Sequence, residues 1–255
     1  MIRLRSKFLP LTEASQLKRL GDASATTFGA TLKLISWNMY KAQRKGCMPD
    51  LTSLSAGVEL ALLQEAVLYG GLAHPFHLAS GLEWIMAENL GTAHQAITTG
   101  PKTGSRVAAL TSHAIRTLDH EPFTGTPKTF LQTTYPFCGE RLLVLNVHAI
   151  NLVSTAKFAR QVAQITAPVA AHEGPCIVAG DFNTWNAARW HLLLKAMADA
   201  GLTRVPAAAP QWRHFNQVLD HVFYRGLRLM SARPLLHVKS SDHVPLWAEF
   251  APDDA

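Results

Sequence analysis

The stretch Ile177-Val178-Ala179-Gly180-Asp181-Phe182-Asn183 joins a short apolar run directly to a glycine, an acid and an amide. A second stretch, Ser241-Asp242-His243-Val244-Pro245-Leu246, has the reverse order, with polar residues in front of an apolar run. Short apolar runs that are bounded by turn residues are typical of buried β-strands. The two stretches therefore predict strands whose ends present acidic, amide and imidazole side chains.

Outward from these stretches, β-type runs alternate with turns and helical patterns from Thr31 onward. Strands are predicted over residues 32–37, 60–64, 107–111, 129–135, 142–147, 176–179, 218–224, 229–236 and 245–250. Helices are predicted over residues 154–171 and 190–200 because apolar residues recur there at helical spacing. Many strands with few helices indicate an α/β fold of two packed sheets with helices outside.

The chain is predicted to form one domain. Its 255 residues are 48% apolar and 16% charged, compared with about 25% charged in an ordinary globular protein. This composition excludes intrinsic disorder, and no linker, repeat or low-complexity tract interrupts residues 31–255. We expect a single domain over residues 31–255, preceded by a polar N-terminal tail over residues 1–30.

Several features predict a cytoplasmic protein with no membrane association. The longest apolar stretches, such as residues 142–147, are far shorter than the roughly 18 residues that span a bilayer. The apolar cluster at residues 8–11 is too short for a signal-peptide core. Cys47, Cys138 and Cys176 form no CxxC pair, which argues against a disulfide framework and a thiolate zinc site. No feature of the sequence indicates a protein partner.

Polar residues stand at the ends of most predicted strands: Asn38, Glu65, His148 with Asn151, Asp181 with Asn183, Asp220 with His221, and Asp242 with His243. Each of them alone is also a common turn or core residue. Carboxylates gathered at one sheet edge repel one another unless a cation lies among them. The set as a whole therefore indicates a metal ion.

The candidate metal ligands all offer oxygen atoms: Asn38, Glu65, Asp181, Asn183 and Asp242. Oxygen donors favour a hard cation, Mg²⁺ or Mn²⁺, over zinc. Imidazoles that do not bind the metal are then free for proton transfer. A hard cation with several carboxylates and two imidazoles is typical of phosphoester hydrolysis.

The chain resembles the endonuclease/exonuclease/phosphatase superfamily in the order of its motifs, which are WN, QE, NVH, GDFN, LDHVF and SDHVPL. GDFN and SDHVPL carry the specificity, whereas WN or QE alone carries little weight. The resemblance covers residues 32–250 and implies the DNase I-like fold, a four-layer α/β/β/α sandwich of two mainly antiparallel sheets with helices outside. The longer strings WNMYKAQR, NVHAINL, GDFNTW and LDHVFYRGL look like the bacterial YafD-like branch.

The resemblance implies a metal-binding set and a water-binding set. Glu65 would be the main metal carboxylate, with Asn38 and Asp242 close by. Asp181 and Asn183 would bind or align the attacking water and the phosphate. The resemblance thus implies that residues 31–255 form a catalytic domain that uses Mg²⁺ or Mn²⁺.

The resemblance also implies roles for two imidazoles. His243 would contact the scissile phosphate and be held by Asp220, and His148 would lie near the leaving group. Whether His243 or Asp181 accepts the proton of water stays open. A carboxylate on one imidazole nitrogen favours the imidazolium and fixes the ring. His221 follows Asp220 and points to the other face of its strand, so we expect it to pack between layers or face solvent.

Other residues near these motifs are candidate substrate contacts. Asn151 follows NVH, and Lys41 and Arg44 follow Asn38 closely enough to reach a phosphate, with a solvated loop as the alternative. Trp185 and Trp212 could stack on a base, although a tryptophan is more often half-buried packing.

The net charge favours a nucleic acid or nucleotide. Lys and Arg number 24 and Asp and Glu 18, which gives +6, and such a charge attracts anions. The sequence therefore predicts a phosphodiesterase or nuclease that acts on DNA or RNA through metal-assisted in-line attack of water. The alternatives are a phosphomonoester phosphatase acting on a small phosphorylated molecule and an inactive relative that binds an anion.

Overall fold

The computed structural model describes residues 9–11, 17–69, 75–92, 97–122, 125–206 and 218–253. The strands are β1 Leu9–Pro10, β2 Leu17–Leu20, β3 Leu32–Asn38, β4 Leu60–Tyr69, β5 Glu83–Ala87, β6 Leu90–Gly91, β7 Ile97–Ser105, β8 Thr111–His120, β9 Pro127–Phe137, β10 Glu140–His148, β11 Cys176–Asp181, β12 Thr203–Arg204, β13 Asp220–Arg225, β14 Leu227–Pro234 and β15 Leu246–Pro252. The α-helices are α1 Cys47–Ala56, α2 Pro75–Ala79, α3 Thr155–Ala170 and α4 Ala187–Asp199, and a 3-10 turn covers Tyr40–Ala42.

The strands form two sheets. The large sheet has the order β1-β6-β7-β4-β3-β15-β14, with β5 pairing with β2 and β7. The small sheet has the order β12-β13-β11-β10-β9-β8. Among the described strands, β3 with β4 and β10 with β11 are the parallel pairs, and the other pairs are antiparallel. The expectation of mainly antiparallel sheets is confirmed.

Side chains of the central strands point alternately to the two faces of each sheet, and this produces the layers of the fold. Leu34 and Leu62 of the large sheet pack against Val144 and Ile177 of the small sheet. The residues between them face outward, because successive side chains of a strand point to opposite faces. Helix α1 covers the outer face of the large sheet, and helices α3 and α4 cover that of the small sheet. The four-layer α/β/β/α sandwich is confirmed.

Helix α3 agrees closely with its prediction. Its buried residues are Phe158, Gln161, Val162, Ile165 and Val169, and they recur at helical spacing. The side chain of Ser154 caps the helix by accepting a hydrogen bond from the backbone N–H of Lys157. Among the described helices, none is long and apolar enough to cross a bilayer.

One buried amide links the two sheets. The side chain of Asn146 in β10 is fully buried. Its Nδ2 donates to the carbonyl oxygens of Leu63 and Lys102 at 3.2 and 3.1 Å, and its Oδ1 accepts a 2.8 Å bond from Nε2 of Gln64. These partners belong to the large sheet, so Asn146 ties the centre of one sheet to the other.

The structure corrects one predicted strand and adds others. Residues 107–111 are not a strand, because Val107 makes only an isolated bridge with Ala25 and β8 begins at Thr111. Val107 is buried in the core between the sheets, so its apolar character reflects packing.

Strand β7 was not predicted. It has the sequence ITTGPKTGS, which has low β-propensity. A Cβ at Gly104 would lie 2.6 Å from the Trp84 ring, so a glycine is needed for this close packing.

The segment predicted as an N-terminal tail contributes to the large sheet where it is described. Strand β2 pairs with β5, and β1 pairs with β6. Phe28 packs in the core between the sheets and is 5% exposed. Strands of two and four residues are too short to give a recognisable periodicity, which is why the sequence did not reveal them.

Candidate active site

The predicted site residues meet where four central strands end. Asn38 is the last residue of β3, and His148 and Asp181 are the last residues of β10 and β11. Asp181 is paired in register with Asp220, the first residue of β13. The parallel pairs β3/β4 and β10/β11 place these ends at one edge of the sandwich. Residues from distant parts of the chain thereby come within hydrogen-bonding range.

A buried carboxylate and imidazole form the best-defined pair of the site. Oδ2 of Asp220 lies 2.7 Å from Nδ1 of His243, and both side chains are buried. The backbone of His243 is also fixed, since its carbonyl accepts from Trp37 Nε1 at 3.3 Å and its N–H donates to Ser241 Oγ at 3.2 Å. Burial alone would lower the pKa of His243, but the charge and hydrogen bond of Asp220 outweigh it and raise the pKa to about 10.

Asp181 lies between the two imidazoles. Its Oδ2 is 3.9 Å from His243 Nε2 and 3.7 Å from His148 Nε2, and it accepts a 3.0 Å bond from Asn38 Nδ2. Its Oδ1 accepts a 2.9 Å bond from the backbone N–H of Asn183. Burial raises the pKa of Asp181 to about 6, despite the opposing charge of His243. This carboxylate can therefore exchange a proton near neutral pH.

Glu65 lies at a β-bulge in β4. The register jumps between Leu63 and Ala66, so Gln64 and Glu65 together face the position of Pro101 in β7. Pro101 has no N–H to donate, which suits it to a bulge. The bulge gives Glu65 a φ of 49° and turns its carboxylate toward the site.

Charges around Glu65 hold it ionised. Its Oε2 accepts a short hydrogen bond from Lys41 Nζ, and its Oε1 lies 3.9 Å from His148 Nε2. Burial would raise the pKa of Glu65, but the charges of Lys41 and Lys128 outweigh it, and the pKa falls to about 2. His148 shows the opposite behaviour, because burial and the charge of Lys128 move its pKa well below the ordinary value. The two imidazoles of the site therefore differ in charge at neutral pH.

Two loops at the site hold left-handed backbone conformations. Tyr40, Lys41 and Ala42 have φ values of 50°, 52° and 53°, and Asn183 has a φ of 50°. Residues other than glycine rarely adopt such values, and they persist where the surroundings fix them. In the first loop, the side-chain oxygen Oδ1 of Asn38 restrains the backbone by accepting a 3.0 Å hydrogen bond from the N–H of Tyr40.

Comparison with known proteins identifies the family. The model described as "Endonuclease/Exonuclease/phosphatase family" matches residues 35–243. The chain belongs to this family. Members of the endonuclease/exonuclease/phosphatase family are phosphoester hydrolases that generally depend on a divalent metal ion. Its membership of the family therefore assigns the chain to the phosphoester hydrolases as a class.

Relatives at the sequence level support the same branch. The chain is 36% identical over 227 residues to a UPF0294 protein of Vibrio vulnificus, covering 86% of this chain and 76% of that protein. UPF0294 proteins are YafD-like, so the predicted branch of the endonuclease/exonuclease/phosphatase family is confirmed.

Solved structures share the fold at low sequence identity. An endonuclease/exonuclease/phosphatase from Beutenbergia cavernae superposes with a TM-score of 0.67 and 16% identity, covering 88% of this chain and 72% of that chain. The 3′ phosphatase NExo from Neisseria, bound to a product DNA hairpin, gives a TM-score of 0.65 and 18% identity, covering 86% of this chain and 99% of that chain. These likenesses confirm the DNase I-like fold.

The donor atoms of the site suit the metal that the family implies. Among the described residues, no three His, Cys, Asp or Glu side chains form a metal-binding group. Mg²⁺ needs no such group, because it keeps several waters and is bound through one or two carboxylates. The Glu65 carboxylate is ionised, Asn38 donates a hydrogen bond to Asp181, and both carboxylates lie within 4 Å of Nε2 of His148. These oxygen donors fit a hard cation.

The other predicted residues have varied surroundings. Arg44 Nη1 donates to the carbonyl of Ser241 at 2.6 Å, so this guanidinium links two loops. Oδ1 of Asp242 accepts from Ser241 Oγ at 3.3 Å. Oδ1 of Asn151 accepts from the N–H of Leu152 at 2.8 Å. The structure therefore gives each of these polar side chains a neighbour in its own or an adjacent loop.

The two predicted tryptophans differ in what the structure says of them. Trp185 is partly buried, and the Arg189 guanidinium lies 5.4 Å from its ring. This contact fits the packing alternative. Trp212 lies outside the described residues.

The sequence did not point to Lys128 or Glu121. Nζ of Lys128 lies 3.4 Å from Oε1 of Glu121, which also accepts from the backbone N–H of Asn151 at 2.9 Å. The charge of Lys128 acts on Glu65 and His148. A lysine at the start of strand β9 carries no motif, so only the pairing of β9 with β10, the strand that ends at His148, could have revealed it.

Proposed function

We propose that this chain is a divalent-metal-dependent phosphodiesterase that cleaves DNA or RNA by in-line attack of water on phosphate. One observation carries the proposal: the cationic His243, held by Asp220, lies on one side of Asp181 and the neutral His148 on the other. A positive donor can stabilise the charge on the phosphate, and a carboxylate that accepts a proton can activate water, so this arrangement suits hydrolysis of a phosphate ester.

Asp181 is the group that we assign to the attacking water. His243 holds its proton to about pH 10, so it cannot accept one at neutral pH, whereas the pKa of Asp181 is about 6. The water oxygen forms the new bond to phosphorus, and its proton passes to Asp181. The bond to the leaving oxygen breaks, and that oxygen departs as an alkoxide that takes a proton from solvent. Nε2 of His243 donates to the phosphate, and Asn183 aligns the water. His148 lies on the leaving-group side.

Glu65, Asn38 and Asp242 are the residues that we assign to Mg²⁺ or Mn²⁺. When bound, the cation would polarise the phosphoryl oxygen and stabilise the leaving oxygen. The Lys41 ammonium now on Glu65 would be free to turn toward a phosphate oxygen, which agrees with its predicted role in substrate binding.

A nucleic acid is the substrate class that charge supports. The net charge is +6, and Lys41, Arg44 and Lys128 lie on the loops and strand around the site. A structural neighbour, the Neisseria 3′ phosphatase, is bound to a DNA hairpin. The same neighbour supports a second candidate, a phosphomonoesterase that removes a terminal phosphate.

A substrate panel tests these functions. Single-stranded DNA and RNA, DNA with a 3′-phosphate and p-nitrophenyl phosphate are incubated with Mg²⁺, Mn²⁺ or EDTA, and His243→Ala serves as the control for contaminating nucleases. Metal-dependent cleavage of internal phosphodiesters that His243→Ala lacks supports the first proposal. Release of phosphate without chain cleavage favours the monoesterase. Binding of DNA without hydrolysis under any condition favours the inactive relative.

A further inference from the structure

The imidazole of His221 in β13 lies beneath the loop that carries Asp181 and Asn183. It is 1% exposed, and its ring packs on those of Phe182 and Trp190 with centroid separations of 5.8 and 4.9 Å. The expectation that His221 packs between layers is confirmed. This ring does not reach the cleft, and the mechanism above does not use it.

One hydrogen bond connects His221 to the catalytic loop. Nε2 of His221 lies 2.8 Å from Oγ1 of Thr184, and the same hydroxyl donates to the carbonyl of Val218 at 2.9 Å. A hydroxyl has one proton, so Thr184 must accept from His221 while it donates to Val218. Nε2 of His221 therefore carries a proton. Nδ1 is buried and has no hydrogen-bond partner among the described residues, so a second proton there would lack an acceptor and the neutral ring is favoured. Burial, assisted by the charge of Arg204, lowers the pKa of His221 to about 3, which agrees with this form.

Thr184, whose hydroxyl makes these hydrogen bonds, immediately follows Asn183 in the sequence. On the other side of Asn183, the N–H of Phe182 donates to the carbonyl of Leu219 at 2.8 Å. Asn183 thus stands between two residues that are fastened to the segment leading into β13. Its φ of 50° is a conformation that needs such restraint.

We propose that His221 is a positioning residue, which holds Thr184 so that Asn183 and Asp181 keep the geometry needed to align water. The effect on catalysis rests on the proposed function, whereas the restraint of the loop by His221 is independent of it. Strand β13 would then serve the site from both faces, since Asp220 orients His243 on one face and His221 orients the loop on the other.

Paired substitutions test the bond. His221→Phe keeps a ring in the stack but removes the donor, and Thr184→Val removes the hydroxyl. Each should lower kcat about 10-fold to 100-fold with KM nearly unchanged, because small displacements of catalytic groups cost rates of this order. Thr184→Ser and His221→Gln retain a hydroxyl and an N–H donor, so they should recover most of the activity. Combining His221→Phe with Thr184→Val should cost no more than either alone.

Amide hydrogen exchange of residues 181–185 tests the restraint by a readout that does not depend on catalytic activity. Exchange there should be at least about tenfold faster in His221→Phe and Thr184→Val than in the wild type. Thr99→Val, which alters a buried threonine of β7, should leave both exchange and kcat unchanged. Unchanged exchange in His221→Phe, or an equal loss of kcat in Thr99→Val, would overturn the inference. A wild type that hydrolyses no phosphoester would refute the proposed function, while the exchange result would still decide the restraint.

Discussion

His243 and His148 lie within 4 Å of the same Asp181 carboxylate, yet their pKa values shift in opposite directions. Both are buried, which disfavours the charged form. Asp220 reverses this effect for His243 through a direct hydrogen bond, while Lys128 adds to it for His148. The Asp220 carboxylate therefore makes His243 a cationic donor, whereas burial, with the charge of Lys128, leaves His148 neutral.

Substitution of Glu65 by glutamine should weaken metal binding and abolish turnover while the fold stays intact. The carboxamide keeps the shape of the side chain but removes the negative charge that binds the cation. Calorimetric titration with Mg²⁺ and Mn²⁺ measures the effect, and Glu173→Gln, which alters an exposed residue, is the matched control. Metal should also raise the melting temperature of the wild type but not of Glu65→Gln. Unchanged metal affinity in Glu65→Gln would refute the assignment.

The pairing of Asp220 with His243 can be tested by a double-mutant cycle. His243→Ala should lower kcat by roughly 10² to 10⁴, the usual cost of losing a positioned proton donor. Asp220→Asn should reproduce much of this loss, because a carboxamide no longer favours the imidazolium. The double mutant should be little slower than His243→Ala alone. Steady-state kinetics measures the cycle, and additive losses would show that the two side chains act separately.

His221 should make the stability of the fold depend on pH. Its pKa is about 3 in the folded protein and about 6.5 in an unfolded chain. Above about pH 6.5 both states are neutral and the full stability is present. As the pH falls toward about 4, only the unfolded state gains the proton, so the wild type should lose about 1.4 kcal/mol per pH unit relative to His221→Phe. Urea unfolding at several pH values measures this difference, and parallel curves for the two proteins would contradict it.

At the scale of elements, apolar runs that ended in polar residues were the most informative part of the sequence. Strands β3, β10 and β11 lie where they were predicted, because buried central strands are apolar on both faces. Strand β7 could not be predicted, since its glycines and Pro101 are explained only by the close approach of Trp84 and by the bulge at Glu65. The position of Lys128 beside the site could not be predicted for a related reason, because it depends on how the strands pair.

Gly180, the residue before Asp181, should tolerate no side chain. A Cβ there would lie 1.9 Å from the carbonyl oxygen of Val147, and the φ of Gly180 is +145°. Gly180→Ala must therefore push β11 away from β10 and should destabilise the fold by about 3 kcal/mol or more. The control is Gly29→Ala, where a Cβ would meet nothing within 4 Å. Equal urea midpoints for the two variants would show that the strands can separate at little cost.

At the scale of the whole molecule, the site is shared between the sheets. The large sheet provides Asn38 and Glu65, and the small sheet provides His148, Asp181 and Asp220. A substrate that binds at the proposed site would therefore lie across the edge of the sandwich, where the charge of the molecule as a whole would guide its approach.

Binding of single-stranded DNA should weaken steeply with salt. Each phosphate neutralised by a basic side chain contributes a slope of about −0.7 to the plot of log affinity against log salt. Fluorescence anisotropy with His243→Ala, which should not cut the ligand, measures this slope. Adding Lys195→Gln removes a charge that is paired with Asp199 on helix α4 and should leave the slope unchanged. A slope near zero would indicate that charge does not drive binding.

The Asn146 amide bears on how the molecule responds to heat. Its hydrogen bonds fasten β10 to β4 and β7 in the middle of the sandwich. One sheet therefore cannot slide over the other without leaving buried polar groups with no hydrogen-bond partner. The two halves of the site should stay aligned until the whole sandwich melts. Thermal inactivation and loss of structure should then occur at one temperature. Asn146→Leu should separate them, giving a protein that is inactivated by warming while it is still folded.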